Sequence, residues 1–205
     1  MKPLLLLLSL LAMSLTGVAR DAAEAFAQAP ASVFPLLDRN TRLDMIDYYR
    51  SGLATPSLNG LDGHSAITEL TPASLSVKLT DSSSAQVALL KAGGDSIIAV
   101  ISTVATPGLD STISFYTIEW KPLPASRYFA KPGWKEWLNP GGDLSTVTAM
   151  APFMLASYFY DPAAMTLTLT NNLGKFLDED AYSIVSPELQ GTLVYAWTGG
   201  KFARK

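Results

Sequence analysis

The chain has 205 residues, a formal net charge of −3, 48% apolar residues and no cysteine. A disulfide framework, a thiolate nucleophile, a cysteine-ligated metal and a lipidated N-terminal cysteine are thereby excluded. Nucleic acid is excluded as a partner as well, because the mildly acidic chain has no basic run beyond its tail "GGKFARK" with which to displace counterions.

The N-terminus "MKPLLLLLSLLAMSLTGVAR" carries Lys2, an apolar run from Leu4 to Leu15, and Gly17 and Ala19 placed for cleavage after Ala19. This predicts a signal peptide over 1–19, since the run falls short of the about 20 residues a membrane span needs. The mature protein is then periplasmic or secreted, soluble, not a lipoprotein, and without a transmembrane segment. A single α+β domain is expected over 20–205, with two sheet lobes split within 121–150 as the alternative.

"DAAEAFAQA" is Ala-rich and favours a helix that Pro30 ends. In "LLDRNTRLDMIDYYRSG", Thr41 suits an N-cap, Asp44 the third position of a capping box and Gly52 the C′ position, which predicts a helix over 42–51. After a Gly-rich connection the period becomes two. "SLSVKLT" puts Leu75, Val77 and Leu79 on one face, and "AQVALLK" repeats the pattern with Val87 and Leu89. "SIIAVISTV" suits a central strand covered on both faces, and "STISFYTIEW" sets Ile113 and Phe115 against Tyr116, Ile118 and Trp120. The breaker-rich stretch 121–150 predicts a long connection with at most one short helix, "GWKEWL". Strands resume in "FMLASYFY", "MTLTLT" and "TLVYAWT", around a helical or irregular "LGKFLDEDAYSIVSPEL". The expected architecture is α+β, an antiparallel meander-type sheet of about seven to eight strands with the N-terminal helices packed on one face.

Four segments in order, "FPLLDRNTRLDMIDYY", "NGLDGHSAITELTPASLSVKLT", "DSTISFYTIEWKPL" and "LVYAWTGGKF", resemble the DUF3256 family of exported Bacteroidales proteins of unknown function. The resemblance runs from about Phe34 to Phe202. It implies Gram-negative export and supplies no catalytic residues to carry over.

Asp44 and Asp47 fall about 60° apart on the predicted helix, in one polar wedge. Paired carboxylates can divide acid and base roles when a cleft separates their pKa values. Helix-end electrostatics for Asp44 and an ion pair of Asp47 with Arg50 explain them as well, and that reading is preferred. His64, the only histidine, excludes a multi-histidine metal site and reads as a loop residue with a local hydrogen bond. Asp178, Glu179 and Asp180 lack the ligand spacing of a calcium loop and read as a helix start or turn. Trp134 and Trp137, three apart, could stack on a sugar or plug a short helix onto the sheet, and packing is preferred. Tyr158 and Tyr160 share a face that Tyr116, Tyr195 and Trp197 could extend, a binding surface if open and a core if covered by the N-terminal helices, with covering the default. Ser96 and Ser111 follow aspartates in a short pattern resembling an O-glycosylation acceptor.

The poverty of catalytic groups favours a non-catalytic binding or accessory module for a peptide, a glycan or an envelope protein. Its site residues would be Trp134, Trp137, Tyr158 and Tyr160. No cofactor or metal is implied, and the oligomeric state is left open. The alternatives are an exported hydrolase using Asp44 and Asp47 and a structural or assembly component of the envelope.

Overall fold

The computed structural model describes residues 21–53, 55–105 and 107–205. The predicted signal peptide over 1–19 lies outside the described residues. Helix α1 (Ala22–Gln28) starts at Asp21, whose carboxylate accepts from the Glu24 N–H. Helix α2 spans Arg39–Arg50, three residues earlier than the sequence pattern predicted. Asp38, a stronger cap than Thr41, accepts from the Thr41 N–H at 2.7 Å, and that bond holds its carboxyl below the usual range. Gly52 takes the expected C′ place with φ +68°.

Seven strands follow as one antiparallel meander in chain order: β1 (Ser57–Leu58), β2 (His64–Leu70), β3 (Ser74–Thr80), β4 (Ser83–Ala92), β5 (Asp95–Ala105), β6 (Leu109–Thr117) and β7 (Pro122–Leu123). The connection "LNGLDGHSA" is shorter than expected, because His64, Ser65 and Ala66 already belong to β2. Strand β6 stops at Thr117. Trp120 lies beyond it in a tight turn at φ +63° and packs its ring 5.2 Å from Tyr116. One face of the sheet, with Leu75, Val77, Val87, Ile98 and Val100, packs on Ala25, Phe26, Met45 and Ile46 of α1 and α2.

Residues 124–155 carry three short helices, where at most one was expected: α3 (Ala125–Tyr128), α4 (Trp134–Trp137) and α5 (Leu144–Met150). The breakers space these helices without abolishing them, since Pro124, Gly133 and Asp143 are their N-caps. Asp143 accepts from the Ser145 and Thr146 hydroxyls at 2.7 Å each, and these bonds pull its carboxyl down to about 2. A folded-state pKa below the unfolded value of 3.8 adds stability that is present above 3.8 and lost as pH falls through about 2. A carboxyl carbon-13 titration should therefore place the Asp143 midpoint near 2, and a midpoint near 3.8 would remove this cap.

The remaining strands form a sheet of their own in the order β11-β10-β9-β8, comprising β8 (Ala156–Asp161), β9 (Thr166–Asn171), β10 (Thr192–Trp197) and β11 (Phe202–Arg204). Between β9 and β10 lies α6 (Glu179–Val185), capped by Asp178, so the acidic triplet is a helix start. The inward residues of the small sheet meet the other face of the large one. Leu167, Leu169, Leu193, Tyr195 and Trp197 pack with Leu90, Ala99, Ile101 and Phe115, and Phe129 and Trp137 fill the ends. The Trp197 indole N–H donates to the Lys91 carbonyl at 2.7 Å and ties β10 to β4.

Strand β8 is the edge of the small sheet, and side chains of the large sheet satisfy its outward backbone. The Tyr160 N–H donates to Gln86 Oε1 at 2.9 Å, while Gln86 Nε2 donates to the Tyr160 carbonyl at 2.8 Å. The Tyr158 N–H donates to Ser111 Oγ at 3.0 Å, and the Ala156 N–H to Asp110 Oδ1 at 3.3 Å. Gln86 thus takes the place of a peptide group from a neighbouring strand, closing an edge that would otherwise present unpaired groups.

Candidate functional site

The small sheet covers only part of the large one. On the face opposite α1 and α2, β4 carries Ser84 and Gln86, then Ala88 and Leu90; Ala88 and Leu90 lie in the shared core, whereas Ser84 is exposed. Strand β3 carries Ser76 and Lys78 on that face, and β2 carries His64, Ala66 and Thr68. Register aligns Lys78 with Ala66 and with Ser84, and Ser84 with Thr103. Alternation in β2 to β4 therefore produces a polar half-face on which His64, Thr68, Lys78 and Ser84 are exposed among the described residues.

Two cavities lie along this half-face and share Lys78. One, of about 460 Å³, is lined by Thr68, Glu69, Ser76, Ser84, Gln86 and Thr103 and bounded by Tyr158 and Phe159 of β8. The other, of about 500 Å³, lies between the β1–β2 connection and the β3–β4 turn and is lined by His64, Asn59, Asp81 and Ser82. Asn59 shapes it. Its buried side chain donates to the Leu79 carbonyl at 2.9 Å and accepts from the Leu61 and Gly63 N–H groups. Lys78 Nζ donates to Asp81 Oδ1 at 2.7 Å; that bond holds the Asp81 carboxyl below its usual range, and His64 acts in the same direction. Phe159 leaves 49% of its surface in solvent on the rim. The two cavities adjoin at Lys78, and this stretch of the sheet, the trough, carries hydroxyl, amide, carboxylate and ammonium groups on its floor.

The residues singled out from sequence are dispersed. Asp44 and Asp47 are both exposed on α2. Arg50 pairs with Asp21 at 3.2 Å, where Asp47 was the expected partner, because the N-cap of α1 lies against the end of α2. With α2 beginning at Arg39, Asp44 sits well inside the helix and away from its dipole end. Asp47, but not Asp44, lines a cleft of about 350 Å³ between α1 and α2, with Asp21, Glu24, Arg39 and Arg50. His64 is the exposed first residue of β2, not a loop residue.

Trp137 is 1% exposed within the shared core, with Trp134 half-buried against it. Tyr158 and Tyr160 are buried in the same core; burial raises the Tyr158 hydroxyl to about 12 and also raises that of Tyr160. Phe129 packs edge-on against Tyr158 and Tyr195 at 5.8 and 5.3 Å. That aromatic face is covered by the large sheet and α3, whereas the N-terminal helices lie on the large sheet's other side. Ser111 is 1% exposed and bonded to Thr103, while Ser96 is half-buried at the start of β5. Among the described residues no group of three or more His, Asp or Glu could hold a metal ion, and no helix is long and apolar enough to cross a membrane.

Sequence reasoning missed Thr68, Ser76, Lys78, Ser84, Gln86 and Phe159. A signal was present in "SLSVKLT", where Ser74, Ser76 and Lys78 alternate with the apolar residues; on that face Ser74 is buried, Ser76 half-buried and Lys78 exposed. In "SSAQVALLK" the same face runs from exposed Ser84 through Gln86, buried under β8, to Ala88 and Leu90 in the shared core.

The fold so defined is an α+β protein with helices on one face of a meander sheet and a second sheet over part of the other. The chain belongs to the DUF3256 family of proteins of unknown function, whose model matches residues 14–202. It is similar to a solved structure described as a domain of an uncharacterized protein from Porphyromonas gingivalis W83, with 24% identity and a TM-score of 0.76 over 88% of this chain and 97% of that one. That likeness speaks for the fold. No curated protein matches.

Proposed function

We propose that the protein is exported and serves outside the cytoplasm as a non-catalytic binding module, with its ligand held in the trough on the open half of the large sheet. The N-terminal pattern of Lys2, apolar run and small residues supports export. The observation that carries the binding assignment is the half-covered sheet. The fold leaves a concave surface with convergent polar groups and a half-exposed aromatic rim, the usual anatomy of a ligand site. Asp44 and Asp47 are both exposed on α2 and only Asp47 lines the cleft between α1 and α2, which favours a binding role over a paired-carboxylate hydrolase.

A photoreactive residue placed at Ser84 in the envelope of the producing cell should give a recurrent adduct of defined mass. The same residue at Asp44, on the far side of the sheet, should not. Adding Thr68→Ala and Lys78→Ala should diminish the Ser84 adduct. Equal labelling at Ser84 and Asp44 would sink the assignment.

A further inference from the structure

We infer that the trough takes an uncharged oligosaccharide, with Phe159 as the stacking surface and the β2–β4 floor as the hydrogen-bonding surface; this rests on the binding role proposed above. Charge argues against an anionic occupant. Lys78, the one lysine of the floor, is already paired with Asp81 at 2.7 Å, and Glu69 adds a carboxylate beside it. An anionic ligand would therefore meet net negative charge, and the Lys78 ammonium, already held by Asp81, offers it little in return.

The floor supplies the mixture of donors and acceptors that a polyhydroxyl ligand needs. The Thr68 hydroxyl donates to the Ser76 carbonyl at 3.2 Å and lines the cavity, where its oxygen can still accept. Ser84 is exposed and can both donate and accept, and Glu69 accepts. The rim supplies an apolar plane. Phe159 is the outward residue of β8 between Tyr158 and Tyr160, whose buried rings and bonded backbone fix it in place, so little ordering cost attaches to using its face. Apolar ring faces bordered by hydroxyl edges are the surface chemistry of a pyranose, and a cavity of about 460 Å³ admits a short oligosaccharide segment.

The test is a titration of the nitrogen-15-labelled mature chain with neutral hexasaccharides built on α-glucose, β-glucose, β-mannose, β-xylose and N-acetylglucosamine, and with one sulfated hexasaccharide. The expected result is saturable movement of the Thr68, Ser76 and Ser84 amide signals with a neutral member. Phe159→Ala should weaken that binding about tenfold while melting at the wild-type temperature. Binding of the sulfated sugar alone, movement unaffected by Phe159→Ala, or no saturable movement with any neutral member would overturn the inference. A Ser84 adduct identified as a peptide or protein would overturn the saccharide assignment and leave the binding role standing. Equal labelling at Ser84 and Asp44 would remove both.

Discussion

Gln86→Leu should lower the unfolding free energy by about 4 kcal/mol, because two buried backbone groups of Tyr160 lose their partners at about 1–3 kcal/mol each and some apolar contact is regained. Gln86 is 6% exposed, and its amide both donates to and accepts from Tyr160, so no rearrangement of one side chain replaces it. Urea unfolding followed by tryptophan fluorescence measures the loss. Because the two sheets share a core, they should unfold in one transition in the wild type; two separated transitions would contradict the shared-core account.

Gln86→Glu separates hydrogen bonding from shape. Burial raises the pKa of the introduced carboxyl in the folded state, so its stabilising, protonated form is fully present below the unfolded value of about 4.3 and is lost as pH rises through the folded value. A protonated glutamic acid can donate to the Tyr160 carbonyl and accept from its N–H, as the amide does. Gln86→Glu should therefore approach wild-type stability at pH 4 and fall well below it at pH 7. Equal deficits at both pH values would show that Gln86 matters for packing alone.

How far the fold could be read in advance follows from which forces are local. The strands "SLSVKLT" and "SIIAVISTV" declare themselves through alternation and through a continuous apolar run, because burial on one face or two is written into successive residues. The division into two sheets is not local. It depends on Gln86, Asp110 and Ser111 reaching the backbone of a strand 46 to 74 residues away, contacts that no periodicity encodes. The aromatic residues Tyr158, Tyr160, Tyr195 and Trp197 were legible as one face with covering as the default, but the cover was expected from the N-terminal helices and is another sheet. The trough was hidden for the complementary reason: serines and a lysine alternating in a strand look like an ordinary wet face until the topology walls them in. For α2, the competition between Asp38 and Thr41 for the cap shifted the helix start by three residues. That shift removed the electrostatic role expected of Asp44.

Arg42 escaped notice because a basic residue at helical spacing reads as solvent-facing, yet it is 3% exposed. Its guanidinium donates to the carbonyls of Ala29 at 2.6 Å, Leu37 at 2.9 Å and Ala27 at 3.3 Å, and lies 5.9 Å from the centre of the Phe26 ring. Burial lowers its pKa and Asp38 opposes that shift, but an arginine stays charged throughout the working range. The planar fork joins the end of α1, the following connection and α2 in one knot. Arg42→Ala should cost about 4 kcal/mol, since hydrogen bonds to a charged group are worth about 1.5–3 kcal/mol each and relief from desolvating the cation returns part of that. Arg42→Lys should recover part of the loss, because a single ammonium has the charge but not the three-way geometry. Arg42→Met keeps the length and removes every donor, so it should be nearly as damaging as alanine. Hydrogen exchange would locate the effect: protection should fall first in α1 and around Leu37, while β9 and β10 keep theirs until global unfolding. Wild-type stability in Arg42→Met would mean that the three carbonyls find other partners and that packing on Phe26 and Ile46 alone holds the helical layer to the sheet.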